Sequence, residues 1–123
     1  MLISKKAEKE GFSVAFKNEN FKCAFIKHSE SYSFGRVREM KRHNKTDEIF
    51  VLLKGKAVML TVENEKFTET ELIKNTASSV MAGTWHYLAL SSDAEVFVVE
   101  NADTDSTNSD ILVLDTEYEL MYN

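Results

Sequence analysis

Lys41-Arg42-His43-Asn44-Lys45-Thr46-Asp47-Glu48-Ile49-Phe50-Val51-Leu52-Leu53-Lys54-Gly55 is the stretch on which the fold turns. Polar residues lead into an apolar run, Ile49 to Leu53, and Gly55 closes it. A short bounded run rich in β-branched and aromatic side chains reads as a buried strand. In an extended chain, residues two apart share a face. Lys41 and His43 therefore point the same way, and Glu48 lies with Phe50 and Leu52 on the face of the next strand. A second stretch, Met81-Ala82-Gly83-Thr84-Trp85-His86, opens a later strand in which Leu88 and Leu90 follow His86 on one face.

Working outward, alternation marks strands at 12–16 and 21–27, with Asn18-Glu19-Asn20 as the turn between them. Residues 57–62 follow Gly55, and Glu63-Asn64-Glu65-Lys66 reads as a hairpin turn. Shorter strands fit 67–70, 78–81, 86–90 and 95–100, with a last one at 111–114 after the polar stretch 101–110. No window carries a helical apolar stripe, and a helical turn fits only the tail, 116–123. Many short strands at close spacing predict an all-β sandwich or barrel. With neither repeat nor linker, residues 1–123 read as one domain.

The chain has 123 residues, 43% of them hydrophobic and 28% charged, which excludes a disordered or low-complexity protein. Its apolar runs fall far short of the ~20 residues a membrane helix needs. A net charge of -5 without a basic block argues against nucleic acid as a partner. No apolar segment follows Met1-Leu2-Ile3-Ser4-Lys5-Lys6, so no secretory signal is expected, and Cys23 stands alone, so no intrachain disulfide can form. A cytoplasmic location is the expectation.

The two quoted stretches resemble the two motifs of the cupin superfamily. Glu48-x6-Gly55 and the spacing from His43 to Glu48 match the first motif, with Gly35 as a counterpart of its leading glycine. Gly83-x2-His86 matches the heart of the second motif. The resemblance covers roughly residues 34–100. Three positions depart from the family pattern. Lys41 stands where the family places its first histidine ligand, Met81 replaces a proline, and Leu90 replaces an asparagine.

The resemblance implies a double-stranded β-helix, the cupin jelly-roll barrel, whose inner faces converge on one pocket. There His43, Glu48 and His86 would form a 2-His-1-carboxylate set for a divalent metal ion: Fe, Mn, Ni or Zn. Lys41, Phe50 and Leu88 would line the ligand site, and Lys41 is expected near the same point as the metal set. The implied function is a small single-domain cupin that acts on or binds a small polar metabolite through that metal. The alternative is a metal-free pocket that holds a sugar or carboxylate with Lys41. A third reading resembles the sugar-nucleotide epimerase and isomerase branch, with a His base and a Tyr acid, but Tyr87 faces away from His86 by parity. Small cupins are mostly dimers, so a homodimer is expected.

Other features carry blander expectations. Trp85 and Tyr87 should pack on the outer face, and Cys23 should be a small buried hydrophobe rather than a nucleophile. The acidic stretch 101–110 lacks the glycine and glutamate of a calcium loop and reads as a solvated connection.

Overall fold

A computed structural model describes residues 1–122 of the chain. The strands are β1 (Gly11–Lys17), β2 (Phe21–Lys27), β3 (Arg36–His43), β4 (Glu48–Lys54) and β5 (Ala57–Glu63). They continue with β6 (Lys66–Glu71), β7 (Ala77–Val80), β8 (Trp85–Leu90), β9 (Glu95–Asn101) and β10 (Ser109–Glu119). The described residues hold no α-helix, only one 3₁₀ turn at Glu30–Tyr32. Two antiparallel five-stranded sheets result, in the orders β1-β2-β9-β4-β7 and β10-β3-β8-β5-β6. This is the jelly-roll expected from the sequence, although among the described residues no ladder joins the two sheets into a closed barrel.

Register across the first sheet aligns Val14, Ala24, Val98 and Phe50 in one row, and Phe12, Ile26, Val96 and Leu52 in the next. Of these rows, Ile26, Phe50, Leu52, Val96 and Val98 pack with Met59, Leu88 and Leu90 of the second sheet in the main core. Fully burying a side chain of this size contributes roughly 1.5–3 kcal/mol. A one-residue slip would turn a whole row to solvent, so burial holds the register. A second core lies on the other face of the second sheet, where Val37, Met40, Leu60 and Ala89 are covered by Phe34, Trp85, Tyr87 and Leu120, among others. The outward aromatics therefore pack as expected, and Cys23 is a half-buried free thiol on the face opposite the main core.

The tail departs from the sequence expectation. Residues 116–119 are strand, not a helical turn, because β10 continues past a bulge to pair Tyr118 with Val37 and Glu119 with Arg36. Tyr118 stacks on Phe67 at 4.6 Å and donates to Glu69 Oε2 (2.7 Å). Glu69 also accepts from the Met121 and Tyr122 amides, which ties the chain end down. Asn123, the last residue of that expected turn, lies outside the described residues. Strand β3 reaches back to Arg36, well before the Lys41–His43 end that the sequence marks. Its five charged residues hide the alternation there, yet Val37 and Met40 are fully buried.

Strands β6 and β7 are consecutive and sit at the edges on one flank of the two sheets, so the free edges, β1 and β10, share the other flank. The deepest layer is polar at one end, and that end carries the histidines.

Candidate functional site

His43 closes β3, Glu48 opens β4, and His86 is the second residue of β8. The turns between these strands hold the three ends together. The Ala82 amide donates to Asp47 Oδ1 (2.8 Å), and the Gly83 amide donates to the His43 carbonyl (2.8 Å). Gly83 takes φ +84, a left-handed conformation that favours glycine. The Met81–Thr84 turn is thereby clamped to the residues flanking His43 and Glu48, and it delivers His86 to the same point.

Ligand atoms of His43, Glu48 and His86 lie within 4.8 Å of one another. The His43 Nε2 is 3.3 Å from Glu48 Oε1, and the His86 Nε2 is 3.2 Å from the same oxygen. All three side chains are largely buried, Glu48 with only 7% of its side chain exposed. Despite these distances, neither ring aligns an N–H on Oε1, which is left buried without a hydrogen bond.

The far side of each ring explains this. His86 Nδ1 lies 2.9 Å from the Thr84 carbonyl, which can only accept, so Nδ1 carries the proton. In the neutral ring, the Nε2 lone pair then faces a carboxylate oxygen. His43 Nδ1 is 2.7 Å from Ser109 Oγ. Ser109 Oγ can donate or accept, so it orients the His43 ring without fixing its proton, whereas the His86 lone pair facing a carboxylate needs a cation between them, either a proton or a metal ion. Outer partners of this kind are what metal-binding histidines use to fix ring orientation. A metal about 2.1 Å from each donor holds the donors roughly 3.0–3.4 Å apart in octahedral or tetrahedral geometry. The two measured separations fall in that range, so the donor set fits a divalent ion.

Electrostatics follow from the same contacts. Burial pushes the Glu48 carboxyl up, but the two imidazoles beside it prevail and hold it at about 2. Contact with Glu48 raises His43 above its ordinary 6.5, against burial and the charge of Lys41, which lower it. Next to Glu48, on the same face of β9, lies Glu100. Burial first and the Glu48 charge second push its carboxyl up to about 7. Glu100 Oε2 is buried without a partner, while Oε1 lies 3.7 Å from Lys22 Nζ, whose ammonium also donates to the Thr104 carbonyl (2.6 Å). Tyr32, from the 3₁₀ turn, packs against the main core. Burial, then the Glu48 and Glu100 charges, push its phenol up to about 12, so it stays a proton donor at neutral pH.

Phe50 forms the floor, with its ring centroid 6.3 Å from that of His86 in edge contact. Leu88 lies one pleat deeper in the core. Lys41 pairs in register with His86 and so shares its face, but its side chain is exposed at the rim. Lys41 makes no ion pair with Glu48. Tyr87 is turned outward, its hydroxyl donating to the Ser33 carbonyl (2.8 Å).

Sequence reasoning missed Glu100, Tyr32 and Ser109. Parity could have found Glu100, which continues the inward positions Val96 and Val98. The stretch 101–110 is also less solvated than expected, with Thr104 and Asn108 buried and Asn108 bridging the Asp103 carbonyl and the Asp105 amide. Two surface depressions of about 440 and 360 Å³ lie apart from the triad, one under residues 4–9 and one beside Glu100 at the start of β4.

No family profile and no curated protein matches the chain. Solved structures do. A cupin-2 domain-containing protein of Shewanella frigidimarina superposes with TM-score 0.59 at 14% identity, over 77% of this chain and 84% of that one. The fold is that of the cupins. Oxalate decarboxylase of Lactobacillus farciminis, in a formate complex, gives 0.61 at 17% identity over 86% of this chain and 33% of that longer one. A 3,4-ketoisomerase of Thermoanaerobacterium thermosaccharolyticum, solved with TDP-4-keto-6-deoxyglucose, gives 0.60 at 13% identity over 72% and 63%. The cupin fold places the histidines and the carboxylate on facing strands at one end of the sandwich, and many unrelated activities use this fold.

Proposed function

We propose that this chain binds a divalent metal ion, Fe, Mn, Ni or Zn, through His43 Nε2, His86 Nε2 and Glu48 Oε1, and uses it to hold or transform a small polar metabolite. One observation carries the reading. The His86 proton is committed to the Thr84 carbonyl, so an Nε2 lone pair meets Glu48 Oε1 at 3.2 Å, an arrangement that a shared cation satisfies. When bound, the metal would polarise a ligand oxygen or acidify a water.

The chain's own groups complete the site. Thr84 and Ser109 orient the rings, Phe50 keeps water from beneath them, and Tyr32 offers a phenolic proton. Lys41, Phe50 and Leu88 line the ligand cleft in this reading, with Leu88 furthest from solvent. The small-molecule complexes of the ketoisomerase and the decarboxylase support a metabolite in this cleft.

A homodimer is part of the proposal. Phe16, Phe21 and Ile49 are 39–47% exposed and lie on the outer face of the first sheet, where a second copy could cover them. The proposed location is the cytoplasm; no helix of the described residues is long and apolar enough to cross a membrane.

The test is metal content per chain by mass spectrometry after removal of any purification tag. About one equivalent supports the reading. None after reconstitution with each of the four metals refutes it.

A further inference from the structure

Several cations around the site are held by partners. Lys22 is held by Glu100 and the Thr104 carbonyl. Arg42 is turned to the other face, where Asp110 Oδ2 meets its Nε at 2.8 Å and its guanidinium lies 4.5 Å from the Trp85 ring centroid. Arg36 and Arg38 pair with Glu117. Lys41, like Lys45 in the turn after β3, makes no hydrogen bond or ion pair among the described residues, and of the two only Lys41 lies on a strand. It is exposed, paired in register with His86 on the concave face, and close enough for its charge to be felt at His43. Glu39, the next residue on that face, lies further along β3, opposite Val113, and does not engage it.

The surroundings of this free ammonium are apolar. Register places Ile111 directly beside Lys41 and Val113 beside Glu39, both on the concave face of edge strand β10, 61% and 70% exposed. On the other sheet, Phe12 and Val14 of edge strand β1 extend the concave rows and are 38% and 46% exposed, and Val14 also lines the depression under residues 4–9. Singly exposed apolar residues need no explanation, but apolar residues on the concave faces of both edge strands, with an unpaired cation beside one of them, do.

We propose that the metabolite is a small organic carboxylate with a branched or extended apolar body, entering between β1 and β10. Its carboxylate meets Lys41 at the rim, and its apolar body lies against Ile111 and Val113 on one lip and Phe12 and Val14 on the other. A charge-assisted hydrogen bond fixes the headgroup, and burial of the lips supplies affinity. This deepens the proposed function and rests on its small-molecule cleft, but not on the metal.

The test is calorimetric titration of the full chain, first with Mn²⁺ alone, then with three probes: 4-methylpentanoate, acetate and 4-methylpentanamide. The probes are run on metal-free and Mn²⁺-loaded protein, and on the Lys41→Gln and Ile111→Ser variants. Expected is 4-methylpentanoate at least about tenfold tighter than either other probe, weakened about tenfold by Lys41→Gln and several-fold by Ile111→Ser. Both variants should keep the Mn²⁺ stoichiometry of the parent, which shows that they are folded. An amide that binds as tightly as the acid overturns the role of Lys41. Acetate binding as tightly as 4-methylpentanoate overturns the apolar lips. No binding by any probe, as when a second copy occupies the opening, overturns the whole inference. Failure of Mn²⁺ alone to bind, with Lys41-dependent carboxylate binding intact, counts against the metal and supports the inference.

Discussion

Glu48→Gln keeps the shape of a side chain on which the whole site converges and removes its charge. In the metal-free protein, burial raises this carboxyl, yet His43 and His86 hold it at about 2 against an ordinary 4.5. A depressed carboxyl contributes stability that is present above its unfolded value and lost as pH falls through its folded one. At ~1.4 kcal/mol per tenfold change in proton affinity, the displacement is worth on the order of 3 kcal/mol while His43 carries the shared proton, below its raised value. With the side chain 7% exposed, solvent screening removes little of that. In a domain of this size, 1 kcal/mol moves the melting temperature by roughly 3–6 °C. The variant should therefore melt on the order of 10 °C lower in EDTA. Metal at a hundred times its Kd stabilises the wild type by about 2.7 kcal/mol, again near 10 °C. A variant whose affinity has dropped about a hundredfold gains only about 0.4 kcal/mol at the same concentration. Scanning calorimetry at pH 6.0, with EDTA or with Mn²⁺ or Zn²⁺, reads all four states. An equal metal-induced shift in both proteins refutes ligation by Glu48. A variant as stable as the parent in EDTA refutes the energy assigned to the imidazole contacts.

Protons and metal should compete visibly. The raised His43 contributes stability below pH 6.5 and loses it as pH rises through its folded value, while Glu48 loses its share as pH falls below about 4.5, so the metal-free protein should be most stable between these limits. Metal binding needs the neutral ring and should strengthen as pH rises through the His43 value, so melting curves with and without metal should diverge above pH 6.5; parallel curves would contradict the site. Asp47→Ala removes the acceptor for the Ala82 amide and should loosen the turn that carries His86, costing about 1 kcal/mol in urea unfolding and roughly tenfold in metal affinity, whereas unchanged affinity would show that the clamp does not position His86. Gly55→Ala places a Cβ 2.6 Å from Ala94 Cα at φ +77 and should cost on the order of 3 kcal/mol. A loss under about 1 kcal/mol would show that the tight approach can relax.

Much of the fold was legible because strands bury alternate residues. The runs 12–16, 21–27, 48–53, 57–62 and 95–100 all occur as strands: the first two alternate, and the others are short bounded apolar runs that strands of a two-layer core can bury. The tail was misread because its partner is remote. Nothing local in 116–123 shows that Tyr118 will stack on Phe67 or that Glu69 will cap the final amides.

For the site, sequence alone determined that His43, Glu48 and His86 begin or end strands with the right side-chain parity, since parity and spacing are properties of the chain. Tertiary structure decided the rest. It put two Nε2 atoms on one carboxylate oxygen, fixed the His86 proton on Thr84, and set Glu100 and Tyr32 beside Glu48. It also left Lys41 unpaired at an apolar opening. These are facts about which strands become neighbours, and cross-strand register depends on the burial of every other row rather than on the residues that the register brings together.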